Sequence, residues 1–222
     1  PPHLDLFMAI MLNISSHPSL QLSSLACTFW KRILTNPMFQ KQAYFIPTCE
    51  TLLGNLAWSF VKWPFEVEGA GVCPPELVAF RSLDFEEDNQ TYIAFQAENR
   101  GLLSRSLLIP LSTIVPATFI SFTNFQWQQC QQLFQSTLEQ AGGLVSNIPE
   151  DTLLALAAMF ESASHLTQTF NEHLTPYAMG ATLPKGASAE LVGLFSRGRG
   201  NKAISSSSTT PTPSTSKSTK NK

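Results

Sequence analysis

Charge is scarce: 14% of the 222 residues are Asp, Glu, Lys or Arg, against 43% apolar and 10% aromatic. That balance excludes a chain disordered throughout, because burial of so much apolar surface offsets the entropy of ordering. Cysteine is sparse as well. Cys27, Cys49, Cys73 and Cys130 stand far apart with no C-x-x-C pair. This excludes a disulfide-stapled mini-protein and reads as buried thiols in a reducing compartment. Basic side chains are few and unevenly placed. Of fourteen, six (Arg197, Arg199, Lys202, Lys217, Lys220, Lys222) follow the last acid, Glu190, leaving eight against sixteen acids and a net −8 over residues 1–196. A body of that sign is a poor general phosphate binder and a better match for a basic protein surface. No uninterrupted apolar run is long enough to span a bilayer. The nearest candidate, Leu102, Leu103 and Leu107 to Phe122, is broken by Arg105, Pro110 and Pro116, so no membrane insertion is expected. The chain opens on Pro1 with no initiator Met and no signal or transit sequence, and the expectation is a fragment of one larger domain.

Apolar spacing is helical through most of the chain. Leu22, Leu25, Ala26, Phe29, Trp30 and Ile33 fall on one helical face, with Ser19 placed as its cap after His17-Pro18. Asn36-Pro37 is a second helix start, proline being tolerated at the first helical position. Cys49, Leu52, Leu53, Leu56, Ala57 and Phe60 continue the period toward Trp63-Pro64, with Pro47 expected to kink or split that segment. Leu4 to Ile14 forms a further apolar helix. Residues 64–76, with three prolines and two glycines, read as loop. A helix is expected to resume near Glu87, carry Tyr92, Phe95, Leu102 and Leu103, and stop before Pro110. Another covers about 117–139 through Trp127, Cys130, Leu133, Phe134 and Leu138, ended by Ala141-Gly142-Gly143. The last follows Pro149 with a stripe of Leu153, Leu156, Ala157, Phe160 and Ser164. No strand-period run competes, so the fold class is all-α. Helix pairs of about 40 residues match the period of helical solenoids, with a compact bundle as the alternative. Residues 1–174 are expected to hold the helical repeats. Residues 175–222, ending in a Ser/Thr/Pro/Lys-rich stretch, are expected to form a low-complexity, disordered tail.

Catalytic patterns are absent: no G-x-S-x-G, no Walker-type loop, no G-x-G-x-x-G and no H-E-x-x-H. The expectation is therefore a non-enzyme without cofactor. Glu161, His165 and His173 are spaced at helical intervals, which suits a metal less well than an exposed polar face, because third and fourth ligands are missing. Cys130 lies on an apolar face, where burial makes a thiol inert. Two features remain. Leu83-Asp84-Phe85-Glu86-Glu87-Asp88 sets four acids around an apolar pair at a helix entrance. Acids in a first turn complement the helix dipole, with Leu83 and Phe85 pinning the loop to the core. The functional reading makes Asp84, Glu86, Glu87 and Asp88 an acidic contact for a basic partner. Arg197, Arg199 and Lys202, with the later lysines, form a basic Arg-Gly/Lys tail that can meet RNA phosphates or serve as a nuclear address. A small helical RNA-binding or scaffold protein using that tail is the alternative function.

The order of residues also resembles a known family. His17-Pro18-Ser19, Leu22-Ser23-Ser24, Trp30, Ile33-Leu34, Asn36-Pro37 and Ile46-Pro47 are similar to the middle helical repeats of the exportin-five-like karyopherins, members of the importin-beta superfamily. The likeness continues through Leu83 to Asp88, Phe95, Arg100-Gly101, Phe125-Gln126-Trp127 and Leu133-Phe134-Gln135-Ser136, and fades after Ile148-Pro149-Glu150-Asp151. It covers about residues 3–165 as scattered identities at matching spacing, without one diagnostic motif. The resemblance implies a HEAT/ARM-like superhelix of a nuclear export receptor shuttling between nucleus and cytoplasm. It also implies partners: the small GTPase Ran in its GTP form, a double-stranded RNA hairpin or protein cargo, and nucleoporins.

Overall fold

Several helix starts and stops are set by short-range chemistry that the chain spells out locally. The computed structural model describes residues 3–56, 61, 75–85, 88–183, 187 and 189–196. Helix α1 covers Leu4–Ser15 and α2 covers Leu20–Leu34. Ser19 caps α2, its hydroxyl accepting from the Leu22 N–H at 3.2 Å, which satisfies one of the orphan donors of the first turn. Asn36 caps the short α3 (Pro37–Gln40) by accepting from Met38 N–H. Helix α4 covers Phe45–Asn55. The break therefore lies before Pro47, not at it. Pro47 is the third residue of α4, within the first turn where an N–H has no intrahelical acceptor to lose.

Helix α5 (Pro75–Phe85) begins inside the stretch expected to be loop. Its buried positions are Leu77, Arg81 and Phe85, and the arginine in the middle hides the apolar stripe from a hydropathy reading. The Arg81 guanidinium lies 5.7 Å from the Tyr92 ring centroid, a cation–π contact that offsets part of its desolvation. Helix α6 runs Asn89–Leu103, passes through a π turn at Ser104–Leu108 and continues as α7, Ile109–Ile114. Pro110 thus does not stop the helix. In the π turn the Ile109 N–H bonds the Ser104 carbonyl, and this wider coil relaxes the clash between a proline ring and the carbonyl four residues back. Pro116 does stop it. Val115 is pushed out of helical geometry by the proline that follows, and the axis turns by 117° into α8, Pro116–Gln140. Gly142 and Gly143 end α8 at φ 70° and 81°, with Gly143 N–H bonding the Leu138 carbonyl. Helix α9 covers Glu150–His173. Helical structure goes on beyond Thr175 as α10 (Thr175–Ala178) and α11 (Ala189–Ser196), and Leu174 is the junction between α9 and α10. Residues 197–222 lie outside the described residues.

Among the described residues every regular element is helical; the fold is all-α. Helix α1 packs on α2 and α4, and α4 on α8. Helix α2 packs on α6 and the π turn, α7 and the π turn pack on α9, α7 also meets α4 and α8, and α8 packs on α9. One apolar cluster runs from Met8 through Trp30, Leu52, Leu107 and Phe119 to Leu191. A second cluster joins α5 and α6 to α8 and α9 through Phe85, Tyr92, Cys130 and Met159. The faces differ in part from the sequence pattern. Leu22 and Leu25 are 44% and 68% exposed, while Ser23 and Cys27 are buried. On α9, Ala157 and Ser164 are exposed, and the buried face is Ala155, Leu156, Met159, Ser162, Ala163 and Leu166. Small alanines and a serine whose hydroxyl donates to the Ala158 carbonyl permit close helix approach without contributing hydrophobic signal.

Candidate partner-binding surface

The acidic run lies between two helices: Asp84 and Phe85 close α5, and Asp88 opens α6. Phe85 is buried as expected, but Leu83 is 75% exposed and pins nothing. Asp84 reaches across to the start of α2. Its Oδ1 accepts from Ser19 Oγ at 3.0 Å and its Oδ2 from Gln21 N–H at 3.4 Å, while Gln21 Nε2 donates to the Asp84 carbonyl at 2.6 Å. A carboxylate at a neighbouring helix N-terminus satisfies orphan N–H groups and the positive end of the dipole. Asp88 caps α6, accepting from Gln90 N–H and from the Thr91 hydroxyl. The Thr91 hydroxyl bond, followed by the backbone donors, holds the Asp88 carboxyl below the ordinary carboxylate range. Both described acids are thus engaged in helix termini. Glu86 and Glu87 lie outside the described residues, as do the tail cations Arg197, Arg199 and Lys202.

The same use of acid recurs where sequence reasoning did not look. Glu190 of α11 accepts from the Ala117 N–H at 2.7 Å, and Glu50 of α4 accepts from Thr118 Oγ1 at 3.1 Å. Two carboxylates from two other helices therefore close the first turn of α8. Local sequence carries no signal for this, because each donor and acceptor pair is more than sixty positions apart. Arg100 meets Glu161 at 2.6 Å, which engages the only acid of the Glu161/His165/His173 set. Among the described residues no three metal-ligating side chains converge.

The described thiols, Cys27, Cys49 and Cys130, are buried, and Cys73 lies outside the described residues. Burial pushes Cys27 and Cys49 up to about 12 and raises Cys130 above its usual value, the environment of an inert thiol. Polar groups inside the first hairpin are paired: Trp30 Nε1 donates to Ser15 Oγ at 2.7 Å, and Ser23 Oγ donates to the Ser15 carbonyl. Four apolar side chains of that hairpin are open, Leu6 at 62%, Ile10 at 46%, Leu22 at 44% and Leu25 at 68% exposed. Among the described residues no single helix is long and apolar enough to cross a membrane. In comparisons with known proteins, the chain matches no family profile, no curated protein and no solved structure.

Proposed function

We propose that this chain is a non-catalytic docking segment of a nuclear export receptor, a stretch of HEAT-like superhelix whose wall engages GTP-bound Ran together with structured RNA or protein cargo. The observation that best supports the reading is the order of packing: α1 on α4 on α8, and α2 on α6 and the π turn, with α7 and the π turn on α9. Stacking of each helix pair on its neighbour is the arrangement in which recognition spreads over a continuous wall. The exposed Leu6, Ile10, Leu22 and Leu25 support it, since each unit of a stacked array leaves apolar side chains for the next. The acidic body, net −8 over residues 1–196, favours a basic protein partner over bare phosphate.

Titration of the full chain with Ran by biolayer interferometry tests this reading. Saturable binding to the GTP form, weakening as salt rises and absent with the GDP form, is expected. Equal response to both nucleotide forms, or to neither, refutes it. A gel shift with a short hairpin RNA, using the full chain and residues 1–196, separates the alternative. Binding lost with residues 197–222 assigns RNA contact to the basic tail.

A further inference from the structure

A cavity of about 270 Å³ opens between α8 and α9, lined by Ile120, Thr123, Asn124, Trp127, Thr167, Phe170 and Asn171. We infer that it is a binding site for a small neutral ligand consisting of one planar ring system with an amide-like hydrogen-bonding edge. The inference is independent of the docking reading.

Shape comes first. Thr123 and Thr167 line it, one from each helix, where longer side chains would take up space, and the room left is just under the range typical of drug-sized ligands, enough for one ring system. The ring walls are Ile120, Phe170 and the Trp127 indole. That indole is fixed, since its Nε1–H donates to Thr167 Oγ1 at 2.8 Å, and aromatic rings stack on a preset face without losing further rotamer freedom.

Polarity follows from counting what is already used. Thr167 Oγ1 accepts from Trp127 and donates to the Ala163 carbonyl, and Thr123 Oγ1 donates to the Phe119 carbonyl. The hydroxyl hydrogens are therefore committed within the protein. What remains at the mouth are two exposed carboxamides, Asn124 and Asn171, one on each helix. Asn171 Oδ1 receives only a long contact of 3.5 Å from Thr175 Oγ1. Each carboxamide offers a donor and an acceptor together, the complement of an amide, lactam or N-heterocycle edge. No charged side chain lines the cavity, so an ion entering it would lose hydration without a counter-charge.

Benzamide is the probe, with benzoate and toluene as the charged and edgeless controls, read by ¹⁵N-edited NMR of the full chain. Benzamide should shift the Trp127 Nε1–H and both Asn side-chain NH₂ signals saturably, with a Kd on the order of millimolar for so small a ligand. Benzoate and toluene should bind at least about tenfold more weakly. N124L and N171L replace exposed side chains and should keep the fold, checked by circular dichroism, while each weakens benzamide about tenfold. Absence of saturable shifts, equal binding of benzoate, or unaltered affinity in the double variant would overturn the assignment.

Discussion

Asp84 offers a direct choice between a structural and a partner-binding carboxylate. Its two oxygens accept from Ser19 Oγ and Gln21 N–H, joining the end of α5 to the start of α2 across sixty-five positions. Asp84→Ala removes both bonds and the charge facing the α2 N-terminus, but leaves the Gln21 Nε2 bond to the Asp84 carbonyl. A hydrogen bond to a charged acceptor contributes about 1.5–3 kcal/mol when desolvated, and the partly exposed setting with one long bond brings this toward the lower figure. With the dipole contribution of about 0.3–1 kcal/mol, the expected loss is about 2–2.5 kcal/mol. In a chain of this size each kcal/mol moves Tm by about 2–4 °C. The assay is urea unfolding followed by far-UV circular dichroism, with E98A as an exposed-acid control expected within about 0.5 kcal/mol of wild type. Ser19→Ala and Asp84→Ala should be non-additive by about 0.5–1 kcal/mol, as partners in one network are. Additive effects, or a D84A loss no larger than that of E98A, would show that Asp84 does not hold α5 to α2.

Two further outcomes follow from burial. Cys27 and Cys49 stay protonated in the fold up to about pH 12, whereas unfolded thiols ionise near 8.5. The raised folded value means that this stability is present below the unfolded pKa and is lost as pH rises between those limits. Each thiol adds a fall of up to about 1.4 kcal/mol per pH unit there; urea unfolding at pH 8, 9.5 and 10.5 should show wild type losing more than C27A/C49A, and parallel pH profiles would contradict the burial argument. The exposed apolar side chains of the first hairpin should drive concentration-dependent self-association in sedimentation velocity. I10K/L25K should restore a monomer with unchanged helicity, and a wild-type chain that stays monomeric at high concentration would contradict an adhesive surface.

What could be read in advance depended on how local the cause was. The caps at Ser19 and Asn36-Pro37 and the stop at Gly142-Gly143 involve partners within five positions, so the sequence around them suffices. The buried Arg81 of α5 depends on Tyr92 from another helix, and hydropathy sees only an interrupted stripe. Pro110 is a strong breaker by composition, yet the π turn ahead of it absorbs the conflict. The α9 face was displaced because Ala155, Ser162 and Ala163 earn burial from close approach instead of hydrophobicity. Of the acidic run, Asp88 stands at a helix entrance as its residue type indicates, but nothing local shows that Asp84 ends α5 and serves a helix sixty residues earlier. The pocket between α8 and α9 depends on a juxtaposition forty positions apart, Trp127 with Thr167, and left no pattern to find.

If the helices are held by nearest neighbours, stability must vary along the stack, since an outer pair is supported on one side only. Hydrogen exchange of the full chain, resolved helix by helix by mass spectrometry across a urea series, reads this. Nearest-neighbour stacking predicts that α1 opens in its own low-energy step, before the segments around the fully buried Leu107 and Leu111 of the main apolar cluster. Exchange of α1, α4, the π turn, α8 and α9 through one common global opening would contradict it, and would describe a single cooperative bundle in place of a stacked wall.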